Sequence, residues 1–252
     1  MKVYQRGNGD PEFTVTGSIH GDEPVGKKAI EKILDKDLEF LRPVQFIVVN
    51  EEALELDKRF VEVDLNRSFP GFKESEIKEE RLAAQLLDQI GDSKVLDIHS
   101  THSSDRPFAT TKSFENPMME MLKASGVENA VKFAEDSGTL TDYVEGIVVE
   151  SGLQHSDQAV ENAVDVIENF LAYFGVIDAE FEDSDPEKFL QQERVEGDWE
   201  FLAENFQKVE KGDVYARNEE DEELIAEKDF YPVLMSTEGY EGMLGHKASK
   251  VE

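Results

Sequence analysis

The chain has 252 residues, and 57 Asp and Glu against 26 Lys and Arg leave a formal net charge of −31, with no cysteine. A folded surface of roughly 11,000 Å² would carry one uncompensated negative charge on about every 350 Å², a field that repels phosphate backbones and anionic head groups and excludes nucleic acid and membrane surfaces as partners. The missing cysteines exclude disulfides, thiolate nucleophiles and Cys-ligated zinc together. No apolar run approaches the ~18 residues of a spanning helix, and the first residues open into polar sequence without a signal-peptide core, so the expected location is the cytoplasm. The acid excess is spread along the chain: residues 1–175 carry 34 acids and 18 bases, and residues 176–252 carry 23 and 8. Such a surface repels itself in dilute buffer, whereas at molar salt the Debye length is only about 3 Å. The expectation is a halophilic protein working in a salt-rich cytoplasm.

The first two thirds alternate short apolar runs with helical patterns, the signature of an α/β fold with a mostly parallel central sheet and helices on both faces. Residues 13–19 read as a strand, and residues 24–34 as a helix with Val25, Ala29, Ile30 and Ile33 on one face. Residues 44–49 form a nearly unbroken apolar strand, as expected for one covered on both faces. Residues 76–90 are strongly amphipathic, residues 95–98 a short strand, and residues 116–125 a helix ending at Gly126. Residues 130–134 and 147–149 are further strands, and residues 156–174 a long helix with Ser156 as N-cap. Residues 178–187 are acidic and aperiodic, a linker. From residue 188 to 252, short apolar runs between turn signals read as a small β-rich domain.

Chemistry concentrates at strand ends, where open α/β sheets place their ligand sites. Only five histidines exist. His20 and His99 each follow an apolar strand, and His20-Gly21-Asp22-Glu23 adds a carboxylate three residues on. Two His and one Glu are an established three-ligand set for a catalytic zinc. Glu150 ends the apolar run 147–149, where burial and a neighbouring cation would poise it as a general base. Asp64-Leu65-Asn66-Arg67 sets an amide beside a guanidinium, the side chain that binds carboxylates through two parallel hydrogen bonds, and Arg59 lies near the same turn.

Taken together these blocks resemble the succinylglutamate desuccinylase/aspartoacylase family, relatives of the carboxypeptidase A-like zinc hydrolases. His20-Gly21-Asp22-Glu23 is similar to the first zinc block, and Leu96-Asp97-Ile98-His99-Ser100-Thr101 to the segment with the third ligand. Asp64-Leu65-Asn66-Arg67 resembles the substrate-carboxylate block, with Arg59 where the family keeps an arginine near the scissile carbonyl. Glu150-Ser151-Gly152-Leu153-Gln154 resembles the general-base block, although Ser151 and Leu153 depart from its usual pattern. Tyr231-Pro232-Val233 followed by Tyr240 resembles the segment that sends a tyrosine into the site. Aspartoacylases proper use a further arginine shortly before the base for a side-chain carboxylate. Here no arginine lies between Arg106 and Arg194, so N-acetylaspartate is not the expected substrate, and Lys123 or Lys132 would have to substitute.

The resemblance implies a zinc-dependent amidohydrolase that deacylates a small-molecule N-acyl amino acid. His20, Glu23 and His99 would hold one Zn²⁺ per chain, Glu150 would serve as base and Arg59 as oxyanion partner, and Asn66, Arg67 and Tyr240 would bind substrate. It divides the chain into a catalytic domain (1–177), an acidic linker (178–187) and a β-rich domain (188–252) capping the site. Two other readings stay open: a zinc carboxypeptidase acting on short peptides, and a catalytically inactive metal-binding protein. Assembly into a homo-oligomer through ion-bridged acidic surfaces is a further expectation. His246 is expected in solvent, Trp199 in the core of the β-rich part, and no motif claims His102 or His155.

Overall fold

The computed structural model describes residues 1–133, 138–239 and 242–251. Its strands are β1 (Lys2–Arg6), β2 (Phe13–Gly17), β3 (Val44–Val48), β4 (Lys94–Thr101), β5 (Phe108–Thr111), β6 (Asn129–Lys132), β7 (Gly146–Leu153), β8 (Glu187–Glu196), β9 (Glu200–Phe201), β10 (Val214–Arg217), β11 (Glu223–Ile225), β12 (Tyr231–Val233) and β13 (Met243–Val251). The helices are α1 (Val25–Asp35), α2 (Glu51–Glu55), α3 (Lys78–Ile90), α4 (Met118–Ala124) and α5 (Asp157–Tyr173). Ten strands form one sheet in the order β1-β3-β2-β4-β7-β5-β6-β8-β13-β12, and β9 to β11 make a separate three-stranded antiparallel sheet. The centre, β3-β2-β4-β7, is parallel, and β5 runs antiparallel to β7.

Alternation along the central strands divides the core. Leu96 and Ile98 of β4, with Ile147 and Val149 of β7, pack with Ile30 of α1 and Ile167 of α5. Val95, one step along β4, packs on the opposite face with Ile47 and with Leu86 of α3. The expected α/β class with helices on both faces is therefore what folds. The same alternation puts Asp97, His99 and Glu150 out of phase with the residues that pack against α1 and α5, with His99 and Glu150 in the carboxyl halves of their strands.

The element ends carry the differences. The strand expected over residues 13–19 stops at Gly17, because Ser18 takes a left-handed φ of 57° and swings the following residues off the sheet. A Cβ on Gly21 would lie 2.1 Å from the Ala53 carbonyl carbon, so only glycine lets this turn lie against α2. Residues 95–98 and 147–149 belong to strands that run on to Thr101 and Leu153. Ser156 caps α5, accepting from the Gln158 N–H at 3.1 Å. The expected strand 130–134 is seen as β6; Ala134, like Tyr240, lies outside the described residues. β1, α2 and β5 are additional elements.

Residues 179–186 carry no helix or strand. Beyond them, β8 pairs with β6 and β13 with β8, so part of the β-rich segment extends the main sheet. Phe189, Val233 and Ala248 share a core cluster with Phe108 and Val131 of β5 and β6. Among the described residues, no helix is long and apolar enough to cross a membrane.

Candidate active site

Three strand ends and one loop meet at the carboxyl edge of the sheet. His20 and Glu23 stand in the turn after β2; His99 of β4 and Glu150 of β7 are direct partners across the parallel ladder. His20, Glu23 and His99 are buried, with relative exposures of 3%, 5% and 4%. Their ligand-type atoms all lie within 4.8 Å of one another. Glu23 stands between the rings: Oε1 is 2.8 Å from His20 Nδ1, and Oε2 is 3.2 Å from His99 Nδ1. The outward nitrogens face two more carboxylates, His20 Nε2 at 3.1 Å from Asp64 Oδ1 and His99 Nε2 at 2.9 Å from Asp97 Oδ2.

This arrangement suits a metal ion. A carboxylate on the far ring nitrogen fixes the tautomer that leaves the near nitrogen free to ligate, and raises its basicity. Two imidazoles and one carboxylate are a donor set for zinc. Burial pushes the Glu23 carboxyl up, but the two imidazoles outweigh it and hold it well below the ordinary range. Burial pushes His99 down; Asp97 and Glu23 more than reverse this and hold it well above.

Glu150 behaves oppositely. Its Oε2 is enclosed and has no hydrogen-bond partner among the described residues. Loss of water pushes its carboxyl up to about 8, against the pull of His99, while Glu23 adds to the rise. A carboxylate in this state takes up a proton readily, which a general base must do.

The 59–67 loop supplies the cations. Arg59 Nε and Nη2 both donate to Asp64 Oδ2 at 3.2 Å, and Nη1 reaches Glu23 Oε1 at 3.4 Å. Asp64 thus joins His20 to Arg59, and its carboxyl is held well below the ordinary range: burial raises it, and His20 with Arg59 overcomes that. Asn66 Oδ1 accepts from the Leu140 N–H at 3.0 Å, so its amide nitrogen is the end left to donate elsewhere. Arg67 is exposed, and its Nη1 donates to the Asn66 carbonyl at 2.7 Å.

His20, Glu23, Arg59, Asn66, Arg67, His99 and Glu150 line one cavity of about 260 Å³. Formal charge along its walls is nearly balanced, unlike the acidic chain as a whole. Arg59, Arg67, Lys112 and Arg194 line it, against Asp22, Glu23 and Glu150 as the only carboxylates among the described lining residues. Lys112 is paired with Asp142 at 3.1 Å.

A scan against family models matches residues 10–166 to the succinylglutamate desuccinylase/aspartoacylase catalytic domain. The chain belongs to that family. A sequence search found no match among curated proteins. Among solved structures, this desuccinylase/aspartoacylase-family chain resembles a product-bound ectoine utilization protein EutE (DoeB) from Ruegeria pomeroyi, with TM-score 0.80 and 20% identity over 99% of this chain and 88% of that one. A succinylglutamate desuccinylase/aspartoacylase from Rhodobacter sphaeroides gives TM-score 0.77 at 20% identity, covering 99% and 89%. The succinylglutamate desuccinylase from Vibrio parahaemolyticus gives 0.70 at 19%, covering 99% and 86%. At these identities the likeness is one of fold. The family is one of deacylases, and in this member a buried His20-Glu23-His99 group could hold a metal ion.

The expected residues His20, Glu23, Arg59, Asn66, Arg67, His99 and Glu150 all line the family member's cavity; Tyr240 lies outside the described residues. Sequence reasoning missed Asp97 as a partner of His99, although its position two residues earlier on one strand places it on the same face. It missed Arg194 and Lys112, which line the cavity where Lys123 and Lys132 do not. His246 is also corrected: it is half-buried in the cavity wall rather than in solvent, because β13 pairs with β8 and sets it opposite Arg194. Ser236 Oγ donates to the His102 carbonyl at 2.8 Å, and Asn205 Nδ2 to the Ser103 carbonyl at 2.9 Å, fastening the segments after β12 and after β9 to the site.

Proposed function

We propose that this protein is a zinc-dependent amidohydrolase that cleaves the amide bond of an N-acyl amino acid. The observation that carries the reading is the buried, unpartnered Glu150 oxygen beside the His20-Glu23-His99 cluster. His20, Glu23 and His99 would hold Zn²⁺, which when bound polarises a carbonyl and makes water acidic near neutral pH. Glu150 takes the proton of the attacking water and delivers it to the departing amine nitrogen, acting first as base and then as acid. With that site occupied, the Glu150 carboxyl would be drawn down from its raised position and be ionised at neutral pH. Arg59, held by two bonds to Asp64, offers its guanidinium to the developing oxyanion.

Asn66 and Arg67 bind the α-carboxylate of the amino acid, supplying orientation. Tyr240 is kept as a third substrate-binding group. Arg194, Lys112 and His246 favour a substrate with a second anionic end. The fastening of His102 and Ser103 by Ser236 and Asn205 favours a small substrate over a polypeptide. The division into 1–177, 178–187 and 188–252 remains part of the same reading, with the last segment capping the site, as do the salt-rich cytoplasmic setting and assembly into a homo-oligomer. The test is amine release at molar KCl with zinc, from N-succinyl and N-acetyl amino acids and from dipeptides. Turnover of an N-acyl amino acid supports the reading; turnover of dipeptides alone replaces it with a peptidase.

A further inference from the structure

The 59–67 loop carries Arg59, Asp64, Asn66 and Arg67, yet its one regular element is a 3₁₀ turn at Leu65–Arg67. Residues 61–63 lie outside any ladder, and their backbone N–H groups must find other acceptors. All three find the same side chain. Glu79 Oε1 accepts from the Val61 N–H at 2.8 Å and the Glu62 N–H at 3.4 Å; Oε2 accepts from Glu62 at 3.3 Å and Val63 at 3.4 Å. Glu79 is 1% exposed, so its charge is held by oriented N–H groups rather than by water. The contact is reciprocal, because Glu62 Oε2 accepts from the Lys78 N–H at 2.5 Å at the start of α3. α3 is itself fixed to the sheet through Ala83, Leu86 and Ile90, which pack with Ile47 of β3 and Val95 of β4.

We propose that Glu79 is a positioning residue of the site: its buried carboxylate holds the 61–63 backbone and so sets where Asp64 meets His20 and Arg59, and where Asn66 and Arg67 face the cavity. It touches neither metal ligand nor substrate. The kinetic part rests on the deacylase reading; the structural and metal-binding parts do not.

The test compares Glu79→Gln with wild type, using Glu80→Gln as control. Glu80 is the next acid of the same first turn and bonds Ser75 Oγ at 2.6 Å instead of the loop. The Gln amide presents a donor where the loop presents donors, so amide exchange over residues 61–63 should quicken by about tenfold or more. Loosening Asp64 should weaken zinc binding, read by chelator competition, by at least about fivefold, toward the range of lost outer partners. KM for the N-acyl amino acid should rise by a similar factor, while Glu80→Gln matches wild type in all three. A merely structural role would lower the melting temperature and leave zinc affinity and KM within twofold well below the melt; that result overturns the proposal, as does unchanged exchange at 61–63. If the Gln variant fails to fold, Glu79→Asp, with its charge kept and its reach shortened, is read by the same criteria. If wild type binds zinc without turning over any substrate, the deacylase reading fails, and exchange and zinc affinity alone decide for Glu79. A wild type that neither binds zinc nor turns over removes the site and the proposal with it.

Discussion

Asp97 is where a single buried atom should control the metal. It is fully buried, with Oδ1 accepting from Thr16 Oγ1 at 2.7 Å and Oδ2 from His99 Nε2 at 2.9 Å. Asp97→Asn keeps the shape but leaves one oxygen for two donors. If the oxygen stays with Thr16, the amide N–H faces His99 Nε2. That nitrogen must then be the acceptor, the proton moves to Nδ1, and Nδ1 is lost as a ligand. If the amide flips, His99 keeps its tautomer but loses a full negative charge beside it. Loss of such an outer partner costs about 10–100-fold in metal affinity, roughly 1.4 to 2.7 kcal/mol.

The loss should depend on pH in a definite direction. Asp97 stabilises any positive charge on the ring, proton or metal, and it helps hold the His99 pKa well above its ordinary value. Below that raised pKa, proton and metal compete and much of the electrostatic benefit cancels. Above it, only the metal-bound form gains. Chelator competition from pH 6 to pH 9 should therefore show a deficit for Asp97→Asn that widens as pH rises. An affinity equal to wild type across the range would refute the orienting role, and a deficit that narrows with pH would refute the electrostatic reasoning.

Arg67→Ala should raise KM for a free-carboxylate substrate by about 10–100-fold, the loss of one charged hydrogen-bonded partner, with kcat within a few-fold; an unchanged KM rules out the clamp. The melting temperature should climb by several degrees between 0.2 and 2 M KCl as screening relieves the surface; a flat profile would contradict the salt-adapted reading. In metal-stripped protein, the raised Glu150 pKa means the fold binds that proton more tightly than the unfolded chain. The stability that this group contributes is then full below about 4.5 and is lost as pH rises through about 8. Glu150→Gln removes that loss, so its advantage in melting temperature over wild type should be larger at pH 8 than at pH 5, and an equal difference at both would count against the buried charge.

The His20-Glu23-His99 cluster and Glu150 were legible because their information is local. His20, His99 and Glu150 each follow an apolar run of sequence, Glu23 comes three residues after His20, and the carboxyl halves of neighbouring parallel strands converge. Asp97 was equally local, through the two-residue period of β4, but a lone acid inside an apolar run does not announce a partner. Asp64 stood in a block associated with substrate, and only folding shows its two oxygens spanning His20 and Arg59. Arg194, Lys112 and His246 were illegible for a different reason. They come from β8, the turn just after β5, and β13, and they meet only because β5 inserts antiparallel beside β7 and because β6, β8 and β13 continue the sheet. Nothing in the spacing of a short strand states which edge it will join. Continuity of the sheet also carries part of the β-rich segment into the main body of the fold, which composition alone had set apart.

The central claim is that Glu150 moves the proton at a site held by His20, Glu23 and His99. The most direct measurement is zinc content and amine release on the same samples of wild type and Glu150→Gln, at molar KCl with a turned-over N-acyl amino acid. The account predicts one zinc per chain in both proteins and a rate lower by about 10²–10⁴-fold in the variant. A variant that keeps its zinc and more than a tenth of the wild-type rate would contradict it.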